Sequence, residues 1–264
     1  MYDYHTHTVF SGDATGSIDD AVEAAIRAGL DEIAVTDHFD PEYSDTSWYE
    51  DPDISSYTYA LKAVAAKHAN SIKVIRGIEA GMQPGRANRR LAEAIDSYGF
   101  DFVLGSVHSA GGLAIDTPPY LETRDARAAV RDYYMAMIDC IREFDDFDVL
   151  GHFNVIDRYI DEIPEDEVFW DLADEALRLI VSMGKGLEVN TRSWQIWEGR
   201  HATPTLRILK RYVELGGETV TTGSDAHSAD AVGQYLKEGE DFIRTAGLRY
   251  LATFRNRKVF YVKL

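Results

Sequence analysis

The chain of 264 residues carries 27 lysine and arginine residues against 45 aspartate and glutamate residues, a formal net charge of −18. So acidic a protein repels phosphate backbones and anionic lipids, and we expect neither a nucleic-acid partner nor a membrane anchor. No run approaches the roughly 18 apolar residues of a membrane span, and the first residues do not resemble a secretory leader. The single cysteine, Cys140, cannot form an internal disulfide, which favours a cytoplasmic location.

A repeated order of short apolar strand, polar turn and amphipathic helix runs along the sequence. Strands are predicted at residues 2–7, 32–38, 73–80, 100–108, 148–153, 186–190 and 218–224. Helices are predicted at residues 17–29, 54–69, 86–98, 124–144, 165–183, 203–215 and 230–246.

This alternation is typical of parallel strands joined by right-handed crossovers. The strand–helix units follow one another without a linker, which favours one closed or nearly closed α/β barrel over two domains. Residues 258–264 are a candidate eighth, irregular strand of that barrel. We therefore expect residues 1–264 to form a single domain with seven or eight barrel strands.

Most of the eight histidines fall where a predicted strand ends. Catalytic groups of α/β barrels come from the carboxyl ends of the strands, so these side chains should meet at one mouth. Neutral imidazole and carboxylate are the ligands that zinc, iron and manganese take in proteins. The strand-terminal candidates are His5, His7, His38, Glu79, His108, His152, Asp225 and His227. They predict a metal site with more ligands than one tetrahedral ion needs.

Spacing within the strands supports this prediction. Alternate residues of a strand face the same side, so His5 and His7 can reach one ion. The same spacing of two relates Asp225 to His227, and Glu188, Asn190 and Arg192 to one another.

Three other polar residues have simpler interpretations. His68 lies on a charged helix face and His201 in a polar loop, so neither is predicted to bind a metal. Asp13 follows the first strand in a Ser-Gly-Asp-Ala turn, and its spacing alone indicates an ordinary turn aspartate.

The candidates lie in short motifs that follow a fixed order. The first motif, residues 5–14, reads His-Thr-His-Thr-Val-Phe-Ser-Gly-Asp-Ala. The later ones are Thr36-Asp37-His38, Gly77-Ile78-Glu79, Gly105-Ser106-Val107-His108, Gly151-His152-Phe153 and Gly223-Ser224-Asp225-Ala226-His227. Over essentially the whole chain, this series resembles the PHP (polymerase and histidinol phosphatase) superfamily, particularly its histidinol-phosphate phosphatase branch.

The resemblance implies a distorted (β/α)7 barrel, TIM-like in shape, that carries two to three divalent ions of manganese, iron or zinc. By analogy, the first ion would be held by His5, His7, Glu79 and Asp225. Glu79 would bridge to a second ion, completed by His108 and His152. The third would be held by Asp13, His38 and His227, which makes Asp13 a ligand rather than a turn residue.

Arg158 and Arg192 follow the fifth and sixth strands, and their positions resemble those of the phosphate-binding arginines of histidinol-phosphate phosphatases. A guanidinium group offers two-point recognition of phosphate oxygens and offsets the charge that develops in phosphoryl transfer. The alternative for each arginine is a surface salt bridge, which so acidic a chain makes reasonable. Asn190 is a candidate for a further polar contact.

The implied activity is metal-dependent hydrolysis of a small phosphate monoester, above all L-histidinol phosphate in histidine biosynthesis. A metal-bridging water would attack phosphorus, and the ions would lower its pKa toward about 7. The motifs identify neither the alcohol nor the general acid. We expect residues 39–56 and 110–124 to cover the barrel mouth, where their side chains would select the alcohol. Candidates are Trp48, Tyr49, Asp116 and Tyr120.

Three alternatives remain open. The chain is a PHP-type phosphoesterase or phosphodiesterase that acts on a nucleotide or sugar phosphate, an amidohydrolase, or a metal-binding module without turnover. The third strand ends in Glu79 rather than in a lysine that can be carbamylated, which counts against an amidohydrolase. The complete ligand set and both arginines count against a module without turnover.

Overall fold

Strands and helices alternate along the chain, as the sequence predicts. The structure, a computed structural model, describes residues 1–197 and 202–264. The strands are β1 (Tyr2–Asp3), β2 (Glu32–Val35), β3 (His38–Phe39), β4 (Lys73–Gly81), β5 (Phe102–Ser106), β6 (Ser109–Ala110), β7 (Leu113–Ala114), β8 (Val149–Leu150), β9 (Gly186–Asn190), β10 (Val220–Gly223), β11 (Tyr250–Arg255) and β12 (Lys258–Lys263). The α-helices are α1 (Ile18–Arg27), α2 (Ile54–Lys67), α3 (Arg86–Tyr98), α4 (Pro118–Leu121), α5 (Ala126–Glu143), α6 (Trp170–Ser182), α7 (Arg192–Trp197), α8 (Leu206–Glu214) and α9 (Leu236–Thr245).

Parallel pairing joins the strands in the order β1-β2-β4-β5-β8-β9-β10. β2 and β3 are two segments of the second predicted strand, and β3 also pairs with β4. The first and last strands meet, because Tyr4 N donates to Thr222 O at 2.9 Å and Thr6 forms a parallel bridge with Ala226. The predicted α/β barrel with a (β/α)7 arrangement is confirmed.

Helix α1 shows how local sequence defines these elements. The Ser17 hydroxyl accepts a hydrogen bond from Asp20 N, and the Asp20 carboxylate accepts one from Ser17 N, which forms a capping box. The helix buries Ile18, Val22 and Ala25 against the barrel. The chain then turns through Gly29, whose φ of +72° favours glycine.

The register of the parallel strands determines where the site lies. His38 in β3 pairs with Glu79 in β4, and Asn190 in β9 pairs with Gly223 in β10, just before Asp225. Strand carboxyl ends in a parallel barrel face the same way. The predicted site residues are therefore collected at one mouth.

The carboxyl-terminal strand corrects one expectation. Residues 258–263 form β12, but this strand pairs antiparallel with β11 and lies outside the barrel sheet. The expectation of an eighth barrel strand at residues 258–264 is wrong. β11 instead places Ala252 and Phe254 among the side chains of the barrel interior, such as Tyr4 and Phe102. A separate hairpin is favoured over an added barrel strand because apolar side chains of β11 are buried there. They cover the end of the barrel opposite the mouth.

The structure also bears on the single cysteine and on the character of the helices. Cys140 is buried in α5, and its thiol donates to Met82 O at 3.3 Å, so it is a core residue. Among residues 1–197 and 202–264, none of the helices has the length and apolar character needed to cross a membrane.

Candidate metal centre

The predicted ligands lie together at the barrel mouth. Each of them has a nitrogen or oxygen atom 3.5 Å or less from another member of the set. The set is His5, His7, Asp13, His38, Glu79, His108, His152, Asp225 and His227. Most of these side chains are buried, whereas Asp13, His108 and His227 are partly open to solvent. The structure thus brings together every residue that the sequence assigned to the metals.

Glu79 lies at the centre of the cluster and is completely buried. Its Oε2 is 2.8 Å from His38 Nδ1 and 3.3 Å from His5 Nε2. Its Oε1 is 3.0 Å from His152 Nε2 and 3.3 Å from His108 Nε2. One carboxylate therefore presents its two oxygens to two separate groups of imidazoles, the arrangement of a bridging ligand.

His5 and His7 provide a test of whether the donor atoms suit a cation. His5 Nδ1 bonds Glu188 Oε1 at 2.6 Å, and His7 Nδ1 bonds the Ser11 hydroxyl at 3.2 Å. The Ser11 hydroxyl donates to Asp37 and must accept from His7. Both Nδ1 atoms therefore carry hydrogens, and the two Nε2 atoms face each other at 2.9 Å. Two lone pairs at that distance require a shared proton or a metal ion between them.

The outer part of the cluster also places donor atoms close together. His227 Nε2 lies 3.0 Å from Asp13 Oδ2, and its Nδ1 lies 2.9 Å from Asp225 O. Glu79 Oε2 and His38 Nδ1 are buried atoms with no hydrogen-bond partner by angle and distance. Such facing acceptors are costly when buried, and divalent cations satisfy them. The residues present therefore fit divalent metal ions.

Burial and mutual attraction shift the pKa values of these groups. Burial disfavours the charged form of Glu79, but the adjacent imidazoles outweigh it and hold the pKa of Glu79 well below its usual value. Burial likewise opposes charge on His5, but Glu188 and Glu79 raise the pKa of His5 well above that of free imidazole. Burial, with repulsion from His38 and His227, lowers the pKa of His7. A charged His5 beside a neutral His7 is what a shared proton requires.

Metal binding should therefore release protons. Despite burial, Asp40 and Glu79 raise the pKa of His108 to about 10, and nearby carboxylates hold the pKa values of His5 and His38 well above that of free imidazole, so all three rings are charged at pH 7 without metal. Each ring must lose a proton to become a ligand, so binding releases about three protons and strengthens as the pH rises. Titration calorimetry in buffers of different ionisation enthalpy measures this release. Zero release, or weaker binding at higher pH, would contradict it.

Two of the predicted ligands have strained main chains. His152 has a φ of +20° and Asp225 a φ of +53°, in the region that side chains with a Cβ rarely adopt. Hydrogen bonds hold both conformations, from His152 N to Glu188 Oε2 and from Asp225 N to His5 O, each at 2.8 Å. Strain of this kind persists where the surrounding structure determines it, typically at functional sites.

Both predicted arginines reach the cluster rather than the outer surface. Arg158 Nη1 donates to Asp225 Oδ2 at 3.0 Å, and its Nη2 donates to Asn190 Oδ1 at 2.8 Å. Arg192 Nη1 donates to Asp225 O at 2.8 Å and also contacts His227 Nδ1. Two guanidinium groups thus lie at one edge of the predicted metal ligands, with Asp225 between them.

Asp40 is a member of the site that the sequence reasoning missed. Its Oδ1 accepts from His108 Nδ1 at 2.6 Å, which turns His108 Nε2 toward Glu79. Burial raises the pKa of Asp40, but His108 and His38 outweigh it and lower the value to about 2. The only available signal was its place two residues after His38, on the same side of an extended segment.

The segments predicted to cover the mouth contribute unequally. Trp48 and Asp116 line a cavity of about 270 Å³ whose floor is formed by most of the cluster itself. Tyr49 is buried and accepts from Asp40 N at 2.6 Å, so it supports the wall from behind. Tyr120 is fully buried and donates to Ala129 O, which makes it a core residue and not part of the pocket.

The two histidines outside the set differ in what the structure says of them. His68 bonds Asp19 at 2.7 Å between α1 and α2, away from the mouth, as expected for a structural residue. Lys67 also pairs with Asp19, so that small cluster already has its own cation. His201 lies outside the described residues.

Comparison with known proteins agrees with this geometry. The model of the PHP domain family matches residues 3–192. The probable histidinol-phosphatase of Clostridium acetobutylicum is 31% identical over 254 residues, which cover 94% of this chain and 95% of that protein. The histidinol-phosphatase of Lactococcus lactis is 29% identical over 261 residues, 97% of this chain and 95% of that protein.

A solved structure extends the similarity to three dimensions. The crystal structure of Lactococcus lactis histidinol phosphate phosphatase, complexed with zinc, L-histidinol and phosphate, superposes with a TM-score of 0.89. The two sequences are 28% identical, and the match covers 98% of each chain. With the family match spanning well over half of its length, the chain belongs to the PHP domain family.

Proposed function

We propose that this chain is a metal-dependent phosphatase that hydrolyses L-histidinol phosphate to L-histidinol and phosphate. Residues 1–264 would act as one catalytic domain in the cytoplasm, with two to three ions of manganese, iron or zinc. The full-length similarity to histidinol-phosphatases supports the reaction. The observation that carries the proposal is the position of Arg158 and Arg192 at the edge of the ligand cluster, beside one small cavity.

The division of labour follows from the contacts. The first ion would be held by His5, His7, Glu79 and Asp225, the second by Glu79, His108 and His152, and the third by Asp13, His38 and His227. Ions held there acidify water and neutralise charge on phosphoryl oxygens.

The protein itself supplies binding and orientation of the phosphoryl group. Arg158 and Arg192 point guanidinium donors toward the Asp225 side of the cluster, where phosphate oxygens can accept charge-assisted hydrogen bonds. Asn190 keeps Arg158 in place through its Oδ1 atom at 2.8 Å. The two guanidinium groups offset the charge that accumulates as the ester bond breaks.

The rest of the cavity fits a small alcohol that carries positive charge. Asp116 lies on the cavity wall, accepts from the Tyr43 hydroxyl at 3.0 Å and has no arginine or lysine partner within the described parts of the chain. A carboxylate in that position complements the ammonium or imidazole group of histidinol. The volume of about 270 Å³ lies below the range of about 300–1,000 Å³ usual for larger ligands, which disfavours nucleotides.

Asp116→Asn should weaken recognition of the cationic alcohol but not the chemistry. Loss of one charge-assisted contact is worth roughly 1.5–3 kcal/mol, so kcat/KM for histidinol phosphate should fall by about 10–100-fold. Turnover of p-nitrophenyl phosphate, which has no cation, should change little. Steady-state kinetics with both esters makes the comparison. An equal loss with both substrates would show that Asp116 does not select the alcohol.

The proposed function is tested with the purified protein and a panel of phosphate esters. Manganese-loaded protein should release phosphate from histidinol phosphate faster than from sugar phosphates, nucleotides or a phosphodiester. Preference for one of the other esters would favour the alternative PHP-type phosphoesterase. Bound metal without turnover of any ester would indicate a binding module.

A further inference from the structure

Glu188 is a buried carboxylate for which the metal sites and the phosphate site have no assigned role. It faces the barrel interior from β9 and is 1% exposed. Its Oε1 accepts from His5 Nδ1 at 2.6 Å, and its Oε2 accepts from His152 N at 2.8 Å. Asn190 Nδ2 lies 3.2 Å from the same Oε2. One side chain thus joins residues at the carboxyl ends of three strands.

The surrounding main chain leaves space for this carboxylate. A Cβ atom on Gly223 would lie 2.3 Å from Glu188 Oε1, and one on Gly151 would lie 3.5 Å from its Oε2. Gly223 belongs to the Gly-Ser-Asp-Ala-His motif and Gly151 precedes His152. Glycine at position 223 therefore admits the carboxylate between β9 and β10, where any larger residue would displace it.

We infer that Glu188 is a positioning residue of the metal centre. Its carboxylate keeps a hydrogen on His5 Nδ1, so that the lone pair of His5 Nε2 is directed at the ion. The same carboxylate holds His152 N, and with it the left-handed main chain that presents His152 Nε2 to Glu79. A carboxylate behind a metal-binding histidine fixes the ring orientation and raises its basicity.

Glu188 also connects the metal ligands to the phosphate site. Asn190 Nδ2 donates to Glu188 and to Asp225 Oδ2, each at 3.2 Å. With its amide held in this orientation, Asn190 Oδ1 faces Arg158 Nη2 at 2.8 Å. A substitution at Glu188 should therefore alter the position of Arg158 as well as the binding of the metal ions.

Glu188→Gln tests the role with almost no change in shape. His5 Nδ1, His152 N and Asn190 Nδ2 are all donors, so one end of a glutamine amide must place its own donor against one of them. We expect the affinity for zinc to fall by about 10–100-fold, the usual effect of removing such a partner. Competition with a fluorescent zinc chelator measures the affinity directly, without reference to turnover.

The matched control is Glu32→Gln, the same substitution at the opposite end of the barrel. Glu32 is buried, accepts from the Tyr4 hydroxyl at 2.7 Å and pairs with Arg255, far from the metal ligands. It should leave zinc affinity unchanged even if it lowers the melting temperature. Loss of zinc affinity in both variants would mean that general destabilisation, not positioning, is responsible.

A second measurement uses the unaltered protein and does not depend on whether the variant folds. Nitrogen-15 imidazole spectra of the zinc-loaded protein should show His5 with a hydrogen on Nδ1 and zinc on Nε2. The opposite assignment would overturn the inference.

The inference rests on the metal centre of the proposed function, and the outcomes separate the two. Wild-type protein that binds no divalent metal would overturn both. Folded Glu188→Gln protein with the zinc affinity of wild type would overturn only the role of Glu188.

Discussion

Glu79→Gln should abolish turnover and release metal ions together. Both oxygens of Glu79 face imidazole nitrogens at 2.8–3.3 Å, and the side chain is completely buried. An amide keeps the shape but loses the charge, and its nitrogen cannot act as a ligand. Several kcal/mol of charge stabilisation would disappear, so kcat should fall by at least about 1,000-fold. Elemental analysis beside phosphate-release kinetics measures both effects on one sample.

The expected metal loss distinguishes this account from a simple packing role. The bridging geometry predicts that more than one ion is weakened, because the two oxygens serve different imidazole groups. Removing this charge leaves the facing imidazoles without their partner, so the melting temperature should fall, and circular dichroism has to show folded protein before metal contents are compared. Full metal content with normal turnover in Glu79→Gln would refute the bridging role.

Arg192→Ala should impair the phosphate step while leaving the metals in place. Arg192 contacts Asp225 and His227 at the mouth but supplies no ligand atom. An arginine that stabilises a transferring phosphoryl group is worth about 10³–10⁵-fold in rate, so kcat/KM should fall by about 1,000-fold or more. Inhibition by inorganic phosphate should weaken in parallel, because the same guanidinium binds the product.

The control for this variant is Arg178→Ala. Arg178 is exposed in α6 and pairs with Asp174 at 2.8 Å on the outer surface. The Arg178→Ala substitution removes one guanidinium from the same acidic protein without changing the barrel mouth. The kcat and KM for phosphate esters should therefore be unchanged. If Arg192→Ala loses its metal instead, Arg192 supports Asp225 and does not bind phosphate.

Much of the site was predictable because it obeys a rule about position. His5, His7, Glu79 and Asp225 all lie at or just beyond the carboxyl ends of strands, and parallel strands bring these ends to one mouth. The order of the motifs then added Asp13, which local spacing had indicated to be a turn residue. The structure places its carboxylate 3.0 Å from His227 Nε2.

The parts that the sequence did not reveal depend on contacts across the barrel. Glu188 meets His5 over a separation of 183 residues, and Asp40 meets His108 over 68. No local pattern specifies such partners, since they follow from strand register and barrel closure. The β11–β12 hairpin was missed for a different reason. Its turn, Asn256-Arg257, has positive φ at both residues but lacks the glycine that normally signals a tight turn.

The local charge at the barrel mouth differs from the net charge of the chain. A net charge of −18 disfavours long polyanions over the general surface. At the mouth, Arg158, Arg192 and bound divalent ions would create a local positive field that attracts a small phosphate ester. The overall charge and an anionic substrate are therefore compatible.

The most direct test of the account is one titration of metal-free protein with manganese, followed by phosphate release from L-histidinol phosphate. Activity should be absent without metal and should rise as two to three ions bind per chain. Full hydrolysis by protein shown to be free of metal would contradict it, as would saturated metal sites with no hydrolysis.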